Sequence, residues 1–384
     1  MRYSIGWACV GMLLFARVAA GAEWLTEPSV AFSSEYNDNT FLTTLPHDTL
    51  LRNSVRPTLQ VKGATETASL QTDAWLRFDR YSGEPSINSN NWDLKLDSAF
   101  GSEVQHADVL VDFMKDTTLE TELLDTGLTG TATPRRSALI APSWNYSMNQ
   151  TTFLGLDYSY SKVNYEASTV LIDYRYQTVS GSLAWQFSDA TEWSVVAFGD
   201  NYDTADDVSR FWNVGIQGGV VHDFSERVHT RFFAGARHTT SRNEFLSNVY
   251  RDNSTGGVLD ARLEYQFERA RLYVDVSSNV QPSGGGYLQE SDLINLGWWH
   301  PVAPQWRVSV DATAIHNQSL TDYRTPYDRH YATVQARLDW RWARKWLAGG
   351  YVRYARSKYV QNPDVADANV VGVQVTYRWS GADL

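Results

Sequence analysis

Alternation of apolar and polar side chains with a period of two, sustained over whole segments, limits this chain more than any other feature of its sequence. Successive side chains of a β-strand point to opposite faces, so this period assigns every residue a face. From Ser54 to Lys62, Val55, Pro57, Leu59 and Val61 share one face, and Ser54, Arg56, Thr58, Gln60 and Lys62 share the other. From Arg135 to Tyr146 the apolar face is Ala138, Ile140, Pro142, Trp144 and Tyr146. From Arg269 to Val280, Leu272, Val274 and Val276 oppose Arg271, Tyr273, Asp275 and Ser277. From His330 to Trp342, Ala332, Val334, Ala336, Leu338, Trp340 and Trp342 oppose Gln335, Arg337, Asp339 and Arg341. Long helical patterns are nearly absent, so the chain reads as all-β.

The same reading gives strands near 28–36, 52–62, 67–81, 91–100, 104–115, 136–147, 151–163, 172–187 and 191–202. It continues with 208–224, 227–239, 256–267, 270–281, 288–299, 305–316, 328–342, 346–356 and 367–379, eighteen in all. Their connections alternate in length. Short ones fall at Gly63–Ala64, Gly101–Ser102, Met148–Gln150, Ser188–Ala190, Ser225–Glu226, Glu268–Arg269, Pro301–Pro304 and Ala343–Lys345. Between them lie Asn37–Leu51, Ser82–Asn90, Asp116–Arg135, Ser241–Thr255, Asn317–Tyr327 and Ser357–Ala366, with only Asn164–Leu171 and Asp203–Asp207 comparatively short.

A propeller would repeat a motif about every forty residues, and no such repeat is found. A soluble sandwich rarely uses strands this long, whereas a strand tilted across a bilayer and projecting beyond it does. Trp92, Trp144, Trp193, Trp212, Trp298, Trp306, Trp346 and Trp379 lie near strand ends, where aromatic girdles meet membrane interfaces. The expected fold is a transmembrane antiparallel up-and-down β-barrel of about 18 strands, with short periplasmic turns, longer extracellular loops and both termini periplasmic.

The N-terminus has the plan of a secretory signal peptide: Arg2, an apolar stretch from Ile5 to Phe15, then Ala20-Gly21-Ala22 for cleavage. That stretch is too short for a membrane helix, and Arg17 interrupts it. Cleavage after Ala22 would leave residues 23–384 as one barrel domain without a cysteine, because Cys9 is the single cysteine. Disulfides are thereby excluded as a source of stability. The net charge of −11 argues against a nucleic-acid partner, since phosphate binding needs clustered Lys and Arg. The strand pattern begins within a few residues of Ala22, which leaves no room for an N-terminal plug.

In such a barrel the apolar face meets lipid and the polar face lines the interior. In the first half the candidate lining residues are Arg56, Arg77, Asp79, Asp108, Asp112, Asp157 and Arg175. In the second they are Arg231, Arg237, Arg262, Glu264, Arg271, Asp275, Arg307, Asp311, Arg337, Asp339 and Arg341. Mixed signs of this kind serve either as cross-strand ion pairs or as a polar track for carbohydrate, with rings such as Trp75, Phe211 and Tyr273 to stack on. A barrel this wide holds an aqueous channel unless something narrows it.

The longest connection, Asp116–Arg135, is the candidate constriction. Its Thr117-Thr118-Leu119-Glu120 has the capping-box pattern and Gly127 a helix stop, which together predict a short helix. Leu119, Glu122, Leu123, Thr126 and Gly127 would narrow the pore if this helix folds inward; otherwise the loop covers the outer rim. Catalytic signatures are missing: there is no HxxxH, HxH or GxSxG spacing. A Ser paired with a distant His106 or His238 would be invisible to sequence. No enzymatic activity, metal or cofactor is expected.

The stretch DFMKDTTLETELLDTGL, followed after a gap by PRRSALIAPSWNYSMNQTTFLGLDYSYSKVNYE, resembles the β-barrel porins found with bacterial exopolysaccharide loci. The similarity rests on an early DN element (Tyr36-Asn37-Asp38-Asn39-Thr40), a T-L-x-x-E-L-x-x-T-G loop (Thr118, Leu119, Glu122, Leu123, Thr126, Gly127) and an S-W-x-Y strand (Ser143, Trp144, Tyr146). It is strongest over 28–200 and diffuse beyond. It implies an outer-membrane channel of a Gram-negative bacterium, passing a secreted polysaccharide, with outer-membrane lipid, the barrel-insertion machinery and a periplasmic export protein as partners. A general small-solute porin is the alternative, and a barrel enzyme or structural envelope protein the remoter one. One departure is C-terminal: Tyr377 and Trp379 are followed by SGADL, which displaces the terminal aromatic that insertion machinery reads.

Overall fold

A computed structural model describes residues 23–127, 132–166, 168, 170–205, 208–245, 248–320, 328–362 and 364–379. The strands are β1 (Glu23–Asn37), β2 (Leu50–Ala64), β3 (Ala68–Ser82), β4 (Ser89–Gly101), β5 (Gln105–Thr117) and β6 (Pro134–Ser147). They continue as β7 (Thr152–Tyr165), β8 (Tyr174–Ser188), β9 (Thr191–Thr204), β10 (Ser209–Ser225), β11 (Val228–Phe245) and β12 (Asn248–Gln266). The last are β13 (Arg271–Pro282), β14 (Leu288–Ala303), β15 (Trp306–Ser319), β16 (Asp328–Ala343), β17 (Trp346–Tyr359) and β18 (Val365–Arg378). A one-turn helix, α1 (Glu122–Asp125), lies between β5 and β6. Each strand pairs antiparallel with its sequence neighbour, and β1 also pairs with β18, so the sheet of 18 strands closes on itself. Closure removes the free edges on which sheets aggregate. The expected leader, residues 1–22, and the tail after Trp379 lie outside the described residues.

Residues directly opposite each other share a face, so the register can be followed around the wall. Phe32 stands opposite both Val55 and Val375, Val55 opposite Phe78, Leu94 opposite Phe113, and Trp144 opposite Leu156. All of these point outward, as the alternation requires. Phe32, Ile216, Val352 and Val373 are each more than half exposed. A continuous apolar belt around a closed barrel is a surface for hydrocarbon rather than water.

A 14-residue strand such as β17 runs about 48 Å and, tilted by about 40°, rises about 36 Å, beyond the roughly 25 Å of an outer-membrane apolar band. The surplus lies on the side of the longer connections. Along β18 the outward residues are Tyr377, Val375, Val373 and Val371, followed by Asn369 and Asp367. At the short-turn edge, stacked and tilted rings run from Trp306 to Trp340 (centroids 5.2 Å apart), then through Trp342 and Trp346 to Tyr377 and Trp379. Amphipathic rings in such a row suit a membrane interface.

One expected loop is strand. Over Ser241–Thr255 the ladder of β11 and β12 continues, with Arg242 opposite Arg251 and Glu244 opposite Val249. Beyond the belt this hairpin is polar on both faces, Ser241 and Asn243 inward, Thr240 and Arg242 outward. The hydrophobic period that reveals a strand disappears there, although its backbone pairing does not.

Candidate functional site

The register directs nearly every candidate lining residue inward. Arg56, Arg77, Asp79, Asp108, Asp112 and Asp157 occupy the inner face of the first strands. Arg231, Arg237, Arg262, Glu264, Arg271, Asp275, Arg307, Asp311, Arg337 and Asp339 do so in the second half. Arg341 follows the register shift after Trp340 and donates to the Pro304 carbonyl at the short-turn rim, 3.3 Å away. Arg175 is corrected. It stands opposite Lys162 and Asp203 on the outer face and is exposed. Its neighbours Tyr174 and Tyr176 take the inner face, where ring burial gains more than burial of a guanidinium that water already solvates.

Across the wall the charges are mostly paired. Arg231 lies 2.9 Å from Asp260, Arg271 2.6 Å from Glu264, Arg262 3.4 Å from Asp275, and Arg307 3.1 Å from Asp339. Arg337 reaches the same Asp339 at 2.8 Å. Where both partners are solvated, as in Arg231–Asp260, such a pair contributes only about 0–1 kcal/mol and orders the wall more than it holds it, whereas Asp339 is buried between its two arginines. Asp157 accepts the Ser180 hydroxyl at 3.1 Å, while Asp112 and Asp311 stand opposite Lys95 and Gln335. Arg56 lies 5.2 Å and Arg77 5.5 Å from the Trp75 ring centre, and Arg262 5.2 Å from that of Tyr273. His106 contacts Asp108 at 3.0 Å, and His238 contacts the Thr255 hydroxyl at 3.1 Å.

The connection between β5 and β6 folds inward. The expected capping box does not form: Thr121 precedes α1 without a side-chain cap. The Thr118 hydroxyl instead accepts the Thr133 amide at 3.1 Å, and the Thr118 amide donates to the Thr133 carbonyl at 3.0 Å. Those bonds close the neck of the loop rather than start a helix. Gly127, at φ 74°, ends α1 in the left-handed region that glycine enters without strain. Leu119 and Leu123 cross the lumen to a buried cluster with Leu42, Tyr331, Ala355, Ala366 and Ala368.

Polar anchors hold this loop in place. Fully buried Arg329 on β16 donates to the Leu123 carbonyl at 2.9 Å and to the Ser357 hydroxyl at 3.0 Å. Tyr359 donates to the Gly127 carbonyl at 2.7 Å. Glu120 pairs with Arg77 and, at 3.3 Å, with Arg52. Glu122 is buried; it accepts the Thr126 hydroxyl at 2.7 Å and lies 3.8 Å from Arg135.

A second inward connection, residues 283–287 between β13 and β14, escapes the sequence reading because the groups it packs on lie far along the chain. Tyr202 donates to the Ser283 carbonyl at 3.0 Å, and the Ile172 amide donates to the Gly284 carbonyl at 2.8 Å. Leu288 is buried against Val163, Tyr165, Tyr174, Tyr202 and Phe211. A Cβ on Gly284 would sit 2.4 Å from the Tyr165 hydroxyl oxygen. Its signal in the sequence is the run Gly284-Gly285-Gly286, which lets backbone approach the rings. Tyr165 then donates to the Glu122 carboxylate, and the two inward connections become one structure. Beside it lies a cavity of about 300 Å³ lined by Glu35, Asn39, Arg52, Arg77, Glu120 and Arg353.

No family model and no curated protein matches this chain. Solved structures do. The outer membrane protein OpdK from Pseudomonas aeruginosa aligns over 92% of this chain and 99% of its own, at 11% identity and a TM-score of 0.46. OccAB2 from Acinetobacter baumannii aligns over 93% and 98%, at 10% identity and a TM-score of 0.48. The ferric-catecholate import receptor Fiu from E. coli aligns over 92% and 82%, at 8% identity and a TM-score of 0.48.

Proposed function

We propose that this chain is an outer-membrane channel whose lumen is restricted by its two inward connections, and that its cargo is an exopolysaccharide leaving the cell. The closed sheet, the outward apolar belt and the polar inner face support the channel. One observation carries the cargo. Two of the three elements behind the resemblance to exopolysaccharide-locus porins meet at the constriction. Asn39 donates to the Thr43 and Asp367 carbonyls at 2.9 and 3.0 Å and so holds the first connection against α1, with Leu42 packed on Leu119 and Leu123.

The wall chemistry agrees with that reading. A neutral polymer of hydroxyl groups finds alternating donors and acceptors in the paired charges, without a strong field of one sign. Trp75 and Tyr273 hold Arg56, Arg77 and Arg262 against the wall, where the guanidiniums can donate to hydroxyl groups. A small-solute porin is the second reading, favoured by the polar cavity of about 300 Å³ beside α1.

The test is deletion of the gene in its host, with complementation. Loss of surface polysaccharide, restored by the wild-type chain, is expected. Unchanged polysaccharide together with slower uptake of small sugars would replace export with diffusion.

A further inference from the structure

We infer that His316, Asp328 and His330 form a site for a divalent transition-metal cation, with Zn²⁺ as the representative ion, on the outer wall where β15 and β16 rise above the apolar belt. His316 and His330 stand directly opposite each other in the register, and Asp328 shares the outward face of His330 two residues away. One ligand atom from each lies within 4.8 Å of the other two. The Asp328 carboxylate is 3.0 Å from His316 Nε2 and 4.0 Å from His330 Nε2. Ligands about 2.0–2.1 Å from a tetrahedral zinc ion are about 3.3 Å apart, so small side-chain rotations bring these atoms onto one ion. The two imidazole rings now stack with centroids 4.5 Å apart, and His330 is exposed enough to turn.

Further features favour a metal over a simple cross-strand ion pair. The other ring nitrogen of His316, Nδ1, lies 3.5 Å from Asp292. A carboxylate behind a ligating histidine fixes its tautomer and raises its basicity, and this arrangement recurs around protein-bound metals. Two imidazoles and a carboxylate suit Zn²⁺ or Cu²⁺ and disfavour the hard, oxygen-seeking Mg²⁺ and Ca²⁺. Arg356 and Lys358 lie nearby on β17, and their charge opposes a dication. Asp292 and Asp328 offset them. Sequence spacing conceals the site, because the hairpin register brings the histidines together across two strands. The bound ion would bridge β15 and β16 and leave at least one coordination position open to solvent.

The full chain, refolded in detergent and stripped with a chelator, is titrated with Zn²⁺ in a calorimeter and with Co²⁺ in an absorption spectrometer. One equivalent of Zn²⁺ and an intense visible Co²⁺ band are expected, with a melting temperature that rises with Zn²⁺ concentration. His316→Ala combined with His330→Ala should abolish all three. Asp292→Asn should weaken binding by about 10–100-fold while keeping one equivalent. Heat-modifiable migration on a gel verifies that each variant is a folded barrel, and His330→Gln is the milder substitute if the double variant is not. Stoichiometric binding retained by the folded histidine variants, or a wild-type chain that binds no Zn²⁺, overturns the assignment.

Discussion

Tyr165 on β7 donates its hydroxyl to the buried carboxylate of Glu122 at the start of α1, and through that bond the two inward connections hold each other. Tyr165→Phe keeps the ring against Tyr174 while leaving one carboxylate oxygen without its donor. A hydrogen bond to a charged group contributes about 1.5–3 kcal/mol, and Arg135 at 3.8 Å remains beside that oxygen. Hydrogen exchange should quicken over residues 118–127, and single-channel current should become noisier, with the barrel still folded.

Arg329 is the second fastening. Its guanidinium contacts the Leu123 carbonyl, the Ser357 hydroxyl and, at 4.6 Å, the Tyr331 ring. Lysine cannot reproduce that fork, so Arg329→Lys should loosen α1 almost as much as Arg329→Met does. Hydrogen exchange at α1 measures both; a lysine variant as protected as wild type would show that charge alone suffices.

Two glycines make a contrast. Gly284→Val must displace the 283–287 connection, because its Cβ has no room against Tyr165. At Gly181 the nearest atom to a new Cβ is Leu156 Cδ2 at 3.6 Å, an ordinary contact. Gly284→Val should raise conductance and Gly181→Ala should leave it unchanged, both read in planar bilayers.

The belt is testable on one strand. Val373→Arg places a charge in the apolar band of β18 and should cost about 2–4 kcal/mol if near the midplane, against about 0–1 kcal/mol for Asn369→Arg near the interface. Both side chains are outward. Denaturant unfolding in lipid vesicles ranks them, and equal losses would mean that the belt has been misplaced.

Much of this architecture was legible in residue order because a membrane barrel has only two environments, and strict alternation reports which one a side chain enters. Val55, Pro57, Leu59 and Val61 announce their face without knowledge of any partner. Legibility fails where both faces are polar, as at exposed Arg242 and buried Asn243, or where rings compete for the interior, as at Tyr174 and Arg175. The length of the Asp116–Arg135 connection marked Leu119–Gly127 as a candidate constriction, but the sequence left open whether it folds inward or covers the rim. Its anchors were not legible, since Arg329 and Tyr359 lie more than two hundred positions along the chain from Leu123 and Gly127. The same limit hid the 283–287 connection, whose partners sit on β7, β8, β9 and β10.

Single-channel conductance of the full barrel, compared with a variant in which residues 119–126 and 284–286 are replaced by short flexible linkers, tests the restricted channel most directly. Wild type should pass a small current and the double-loop variant a several-fold larger one, with either single replacement between them. Equal conductance in all four proteins would contradict a lumen restricted by these two connections, and no current through the folded double variant would contradict a channel altogether.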